Sequence, residues 1–330
     1  MPAFSMLRPG LMEYGLSMSL LQQEYDLFKQ LCRHGSCAYS AINGELIQSL
    51  QKKGLKISRS ENEYRLSNPP TPLAEDIIFA NLDDEYYHSK INHLVVLYET
   101  ESTNKEILEY PFSEKYNILV AESQTKGQGR RNKEWFSPLA ENLYFSLSFS
   151  IKNSKNINFL PLLTAMSVCK SLYKIGINGC QLKWPNDIYL KGKKLGGILL
   201  ECRYNEEKGH SLVVGIGLNV NMKGTQAIEQ SWTSLFLSTD SIFNRNTVVS
   251  MIIADLIKAY SDLNTLDKAQ FLLDWQALDI LKNRCITINE DGKEYRAIAR
   301  GLAGDGSLIV ELKKNKNLQR LYAADVSLTL

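Results

Sequence analysis

The sequence predicts an α+β protein with a mixed central sheet, a small mostly helical region ahead of it and a short all-β region behind it. Three observations carry that expectation. Strand-like runs between residues 94 and 220 are spaced irregularly, and several are separated by turns rather than helices, which argues against a doubly wound parallel sheet. Three long runs with helical periodicity accompany them. Residues 1–70 and 282–330 differ in texture from the middle.

The first region carries two amphipathic runs, with Leu20, Leu21, Leu27, Phe28 and Leu31 in one and Ile42, Leu46, Ile47 and Leu50 in the other. Gly54 ends the second, as glycine does just past a helix. LKISRSENEYRLS reads as two short strands around a polar turn, and SNPPTP as a linker, since proline continues neither helix nor sheet. In residues 71–281, LVVLYE, NILVAES, NLYFSLSFS, QLKWPNDIYL, KLGGILLECRY and SLVVGIGLNV are rich in β-branched and aromatic residues and read as strands. Helices fit Phe159–Ile175, Asn246–Leu263 and Asp267–Leu281. Residues 282–330 are short strands with turns at Asp291-Gly292, Asp305-Gly306 and KKNKN, the texture of a small β-barrel.

The chain is long enough for two or three domains, and its 44% hydrophobic content can fill a sizeable core. With 38 basic and 36 acidic residues, it is too near neutral to argue for nucleic acid or an anionic membrane. The six cysteines form no CxxC pair and no zinc-spaced cluster with histidine. Cys169 and Cys202 lie in apolar runs and are expected to be buried free thiols, in keeping with a reducing cytosol. The N-terminal stretch MPAFSMLRPGLMEYGLSMSLL is broken by Pro9, Gly10 and Glu13, unlike a secretory signal, and no apolar run is long enough to span a membrane. A cytoplasmic protein is the expectation.

Three segments place polar or flexible residues against strand-like sequence. In AESQTKGQGRRNKEWFS, a strand gives way to a loop with Gly127, Gly129, Arg130 and Arg131, closed by Trp135. Glycines let backbone amides approach an anion, and arginine offers a forked donor. An exposed basic hairpin loop accounts for these residues equally well. In LKWPNDIYLKGKKLGGILLE, Lys183, Asn186 and Asp187 flank Pro185, and Lys194 opens an apolar strand. Lysine base rates favour a solvated turn tip over a ligand contact. In VVGIGLNVNM, Gly215 and Gly217 occupy a strand that disfavours glycine, which marks a bulge or a close approach.

Together and in this order, the segments resemble the catalytic domain of bacterial biotin–protein ligases. Gly127-Gln128-Gly129-Arg130 matches the family's glycine–arginine loop, although Gln128 stands where an arginine is often found. KWPND is intact at 183–187, Lys194 to Leu199 matches KLxGIL, Gly215 to Asn219 matches GxGxN, and Ser102-Thr103-Asn104 matches an upstream STN. The resemblance implies a class II aminoacyl-tRNA-synthetase-like catalytic domain at 71–281. It also implies a degenerate winged helix-turn-helix-like region at 1–70 and an SH3-like barrel at 282–330.

The implied activity is formation of biotinyl-AMP from biotin and ATP with Mg²⁺. Biotin then passes to a lysine of the biotin carboxyl carrier protein of acetyl-CoA carboxylase. By the same resemblance, Lys194, Arg130 and Lys183 are catalytic. Ser102, Thr103, Gln124, the loop residues Gly127, Gln128, Gly129 and Arg130, Lys194, Gly197, Ile198 and Gly217 bind biotin. Arg130, Arg131, Trp135, Lys183, Asn186 and Asn219 bind the nucleotide, and Asp187 meets Mg²⁺ directly or through its outer shell. Carboxylate attack on phosphorus joins two anions, which agrees with so many cations.

Longer relatives use their N-terminal domain to repress biotin genes. Here the helix normally between the first and the recognition helix is missing, because too few residues join Gly35 to Tyr39. The candidate recognition helix carries Glu45 and few base-reading groups, and residues 1–70 hold eight basic against six acidic side chains. A region kept for packing is expected over one that binds DNA. The resemblance also allows a homodimer through a sheet edge. The competing readings are a lipoate–protein ligase or octanoyltransferase on the same fold, and a biotin-sensing DNA-binding repressor.

Overall fold

A computed structural model describes residues 15–152, 155–205, 209–225, 227–290 and 293–328. The reading of the extreme N-terminus and the Asp291-Gly292 turn lie outside the described residues.

Helix α1 (Gly15–His34) stops where Gly35 adopts φ +74° and donates its N–H to the Leu31 carbonyl at 2.9 Å. Strand β1 (Ser36–Ala38) follows, and α2 (Ala41–Lys52) begins at Ser40, whose Oγ accepts from Asn43 N. Strands β2 (Ile57–Arg59) and β3 (Glu63–Leu66) complete a small antiparallel sheet in the order β1-β3-β2. The short link after Gly35 thus holds a strand that three residues of sequence could not announce. Leu27, Phe28, Leu31, Ile47 and Leu50 form this unit's core, but Tyr98, Leu139 and Ala140 from the central unit complete it. The Tyr25 and Phe28 rings lie 5.0 and 5.7 Å from that of Tyr98.

The central unit opens with α3 (Glu75–Ala80), α4 (Glu85–Lys90), β4 (Ile91–Thr100), α5 (Thr103–Glu106), β5 (Tyr116–Gln124) and β6 (Leu143–Ile151). Then come α6 (Leu160–Lys174), β7 (Cys180–Lys183), β8 (Asp187–Leu190), β9 (Lys193–Asn205) and β10 (Gly209–Leu218). It closes with α7 (Leu235–Thr239), α8 (Arg245–Ser261) and α9 (Lys268–Leu278). The sheet order is β4-β5-β6-β10-β9-β8-β7, with β4–β5 parallel and the other neighbours antiparallel. The three long helices fall where periodicity put them. The short α3, α4, α5 and α7 were not foreseen, since four to six residues carry too little of a 3.6-residue period. QLKWPNDIYL is two strands, β7 and β8, around a turn at 184–186.

Alternation along the strands sorts the sheet's two faces. Phe145, Leu147, Val214 and Ile216 join Val168, Leu172, Ile253 and Leu256 of α6 and α8 in the main core. Gly215 and Gly217 point the other way, where an added Cβ would strike Asn104 and Trp135 respectively. The linker is fastened to this unit. Buried Glu122 accepts from Leu73 N at 2.6 Å and pairs with Arg245 at 2.7 Å, and Arg245 also donates to the Thr71 carbonyl at 3.1 Å.

The last unit contains β11 (Cys285–Glu290), β12 (Lys293–Leu302), β13 (Leu308–Leu312), β14 (Leu318–Leu321) and β15 (Asp325–Leu328), antiparallel in the order β14-β13-β12-β11-β15. Its Asp305-Gly306 turn has Gly306 at φ +83°. No disulfide joins the six cysteines. Cys169 is buried as expected, but Cys202 is exposed, because residues 201–204 at the far end of β9 run past the packed layers. Among the described residues, no helix is long and apolar enough to cross a membrane.

Candidate active site

The glycine-bare face of the sheet is the floor of a cavity of about 800 Å³. Its rim comes from the 127–136 loop, the 183–187 turn, the start of β9, the 227–232 segment and the C-terminal sheet. Such a volume suits a ligand of small-molecule size.

The arginine loop is bonded to itself. Trp135 N donates to the Gly127 carbonyl at 2.9 Å, and Gly129 N donates to that of Lys133 at 2.7 Å. Its tip turns through Arg131 and Asn132 at φ +53° and +58°, a left-handed conformation that costs non-glycine residues about 1–2 kcal/mol each. Gly127 is required where it stands, since a Cβ would come within 2.5 Å of the Trp135 carbonyl oxygen. The Trp135 indole lies over Gly197 and Gly217, and its buried Nε1 has no hydrogen-bond partner among the described residues. A Cβ at 217 would come within 2.4 Å of the indole and displace it, whereas one at 197 would only touch it.

Cations converge on this space. Lys194 Nζ stands 2.8 Å from Asp187 Oδ1 and 5.6 Å from the centre of the Trp135 ring. Lys183 Nζ approaches Asp187 Oδ2 at 3.4 Å. Arg130 donates to Asn186 Oδ1 at 3.3 Å, and Asn186 Nδ2 holds the Ile198 carbonyl at 2.6 Å. Burial pulls the Arg130 guanidinium below its usual pKa, partly opposed by Asp325 and Asp187. The solvated-tip expectation divides accordingly: Lys191 and Lys193 are exposed, whereas Lys194 is drawn into the cavity with 16% of its side chain accessible.

At the other end lies a polar network of hydroxyls and amides that ends on the Glu201 carboxylate. Gln124 Oε1 accepts from Thr103 N at 2.9 Å and Thr103 Oγ1 at 3.2 Å, and Gln124 Nε2 donates to Ser137. Ser146 Oγ meets Thr103 Oγ1 and Asn104 Oδ1 at 2.8 and 2.6 Å, and Asn104 Nδ2 donates to Glu201. Ser102 is buried at the start of α5 and makes no side-chain cap bond.

Most of the residues singled out in the sequence line this cavity; Gly127 and Arg131 do not. Gly127 is packed behind Trp135. Arg131 turns toward the C-terminal sheet, with Nη1 3.4 Å from Asp325 Oδ2 and 3.5 Å from the Asn289 carbonyl. Asn219 lines the cavity, and its Nδ2 donates to the Thr233 carbonyl at 3.0 Å.

Two contributors were missed. One is the 227–232 segment with Trp232, strapped to Lys194 by Lys194 N donating to the Ser231 carbonyl and Thr233 N donating to that of Lys194. An aromatic in a polar stretch between strand and helix was its available signal. The other is the C-terminal sheet, which lends Asn289, Glu294 and Asp325–Ser327 to the rim. Lys133 also binds Asp325 at 3.0 Å, and Trp184 Nε1 donates to the Gly306 carbonyl at 3.1 Å. Nothing local in the sequence marked these contacts.

Comparison with known proteins agrees with this layout. The model of the biotin/lipoate A/B protein ligase family matches residues 95–219, and that of the biotin protein ligase C-terminal domain matches 283–329. The bifunctional ligase/repressor BirA of Escherichia coli (strain K12) is 30% identical over 297 residues, covering 88% of this chain and 90% of that protein. BirA of Bacillus subtilis (strain 168) is 31% identical over 301 residues, with the same coverage. The solved biotin protein ligase from Aquifex aeolicus in complex with biotin and ATP superposes with a TM-score of 0.64 at 25% identity, over 72% of this chain and 100% of that one. Since sequence similarity runs through the arginine loop, the KWPND turn and the C-terminal sheet that together enclose the cavity, this chain belongs to the biotin protein ligase family.

Proposed function

We propose that this chain is a biotin–protein ligase: it joins biotin to AMP at the expense of ATP, then transfers the biotin to a lysine of a biotin carboxyl carrier protein. The observation that carries this reading is the convergence of Arg130, Lys183 and Lys194, from separate strand–loop junctions, on one cavity floored by glycine.

In the first step a biotin carboxylate oxygen attacks the α-phosphorus of ATP, and the bond to the β-phosphate bridging oxygen breaks. Two anions must meet, so the barrier falls when fixed cations face the oxygens that gain charge. Lys194 is assigned to the biotin carboxylate and α-phosphate, supported by its position beside Trp135 and Gly197. Arg130 and Lys183 are assigned to the phosphates. Ser102, Thr103 and Gln124 fit the polar ureido end, and the apolar surface of Gly197, Ile198 and Gly217, roofed by the Trp135 indole, fits the apolar bicycle. Trp135 and Trp232, which both line the cavity, offer aromatic surface for the adenine.

Asp187 supplies a single carboxylate, both oxygens of which face lysines. This fits Mg²⁺ carried in on the ATP phosphates and met through water, rather than held in a protein cage. When bound, the ion offsets charge on the departing pyrophosphate. In the second step the carrier lysine amine attacks the acyl carbon, an amide forms, and AMP leaves. The 127–136 loop keeps water from the mixed anhydride meanwhile.

The division into 1–70, 71–281 and 282–330 belongs to this reading, supported by three separate sheets. The same reading gives a class II synthetase-like central unit, an SH3-like C-terminal unit and a reduced winged-helix-like N-terminal unit. A packing role for the last is supported by a core it shares with Tyr98 and Leu139. A homodimer through the sheet edges at β4 or β7, and a cytosolic site of action where ATP is at hand, complete the proposal.

The test offers the protein ATP, labelled biotin and an acceptor carrier domain. Labelled carrier is expected; labelling by lipoate instead would favour the lipoate reading. Lys194→Ala is expected to slow pyrophosphate release by on the order of 10²–10³-fold, the scale of one lost oxyanion contact. A near-normal rate would remove Lys194 from the chemistry.

A further inference from the structure

Glu201 of β9 is exposed and does not line the large cavity, yet it governs a residue that does. Its carboxylate accepts from Asn104 Nδ2 at 2.7 Å. Asn104 is buried and lies across Gly215, whose missing Cβ leaves the room, with Ser146 of β6 on its other side. The strand register prepares this. Gly215 pairs with Ser146 on one flank and Leu199 on the other, and Glu201 is the next residue of β9 on the same face as Leu199.

The direction of each hydrogen bond follows from the carboxylate. A carboxylate only accepts, so the Asn104 amide turns its NH2 to Glu201 and its carbonyl oxygen to Ser146. A carbonyl also only accepts, so the single Ser146 hydroxyl proton goes to Asn104 Oδ1 at 2.6 Å. The 2.8 Å approach of the Ser146 and Thr103 hydroxyls then needs the Thr103 proton. Gln124 Oε1, 3.2 Å from Thr103 Oγ1, keeps only a glancing share of that proton and accepts squarely from Thr103 N at 2.9 Å. Gln124 is itself held in this orientation, because its Nε2 donates to Ser137 Oγ and Ser137 donates to the Trp135 carbonyl. Gln124 Oε1 and Thr103 Oγ1 are thereby left with lone pairs to offer a ligand.

We propose that Glu201 is a positioning residue that fixes the polarity of this chain, so that the polar end of the cavity receives a ligand head carrying N–H donors. The inference rests on the ligase reading above, in which that head is the cyclic urea of biotin. Reversing the charge at 201 reverses the chain. An ammonium only donates, so Asn104 presents Oδ1 to it and Nδ2 to Ser146. Ser146 then donates to Thr103, and Thr103 to Gln124 Oε1, which fills the lone pair that a urea N–H would take.

The test measures biotin binding to the folded full chain by titration calorimetry without ATP, then steady-state adenylate formation. Glu201→Lys is expected to weaken biotin binding about tenfold, the scale of one donor left without its acceptor. The KM for biotin should rise alike, with kcat and the KM for ATP unchanged. Glu201→Gln, whose amide oxygen still accepts from Asn104, is expected to keep the parent's affinity. Both variants should melt with the parent, since position 201 is exposed. Equal loss of biotin affinity in the two variants, or no loss in Glu201→Lys, would overturn the positioning role while leaving the ligase reading intact. A parent chain that binds no biotin would instead sink the ligase reading, and this inference with it.

Discussion

The two small units at the ends of the chain both grip the central sheet, but they grip different faces of its machinery. The N-terminal unit holds it from behind. Glu24 accepts from Tyr98 and Lys53, each at 2.5 Å, while Lys53 also pairs with Glu99 and lies over the Tyr98 ring. Among the described residues, none of its side chains lines the large cavity. The C-terminal unit holds it from the front: Asp325 receives Arg131 and Lys133 of the arginine loop, and the Gly306 carbonyl receives Trp184 of the KWPND turn. Similar size and similar adhesion therefore serve two ends, a shared core in one case and a share of the active-site wall in the other.

If that contrast holds, damage on the N-terminal side costs stability and damage on the C-terminal side costs retention of the intermediate. The largest expected effect is structural. Arg245→Met strands the Glu122 charge that anchors Leu73, which is expected to lower unfolding free energy by about 3–5 kcal/mol in a urea titration. Adenylate formation by the folded fraction should be unaltered. Tyr98→Phe removes a hydrogen bond to a charged acceptor and is expected to cost about 1.5–3 kcal/mol, again with biotinyl-AMP dissociation unchanged. A faster dissociation in that variant would break the comparison.

Asp325→Asn is expected to do the reverse. Its two partners are partly exposed, so the pairs are worth no more than about 0.2–1 kcal/mol each. Unfolding should barely move, while release of biotinyl-AMP, followed by stopped flow, should quicken a few-fold.

The smallest effect is that of acid. Burial raises the Glu24 carboxyl, but hydrogen bonds from Lys53, Ser49 and Tyr98 outweigh it and leave the pKa below the usual 4.5. A carboxylate lowered on folding contributes stability above its unfolded pKa and loses it as pH falls through the folded one. Proteolysis in the 67–70 linker should therefore stay flat from neutral pH down to the ordinary glutamate range and rise only below it.

Much of this was legible because chemistry and backbone demand coincide locally. Gly215 and Gly217 sit where β-branched residues belong, and each makes way for one side chain, Asn104 and Trp135. Lys183 and Asp187 flank a single tight turn that holds Asn186, so their proximity is written in their spacing. What the sequence withheld is long-range. Arg130 and Arg131 are neighbours of one type, yet a left-handed turn sends one into the cavity and the other to Asp325, nearly 200 residues away. Cys169 and Cys202 lie in runs of similar apolarity, and only the length of β9 relative to its cover separates a buried thiol from an exposed one.

The strap over Lys194 has an engineering consequence. Its two backbone bonds, to Ser231 and from Thr233, clamp the segment immediately beside the lysine, so residues 227–230 form an arch whose far abutment is already fixed. Lengthening such an arch costs only about 0.6 kcal/mol per doubling of its span. Peptide tags or reporter residues could therefore be spliced into it to watch the nucleotide end of the cavity, with the ammonium group left where it stands.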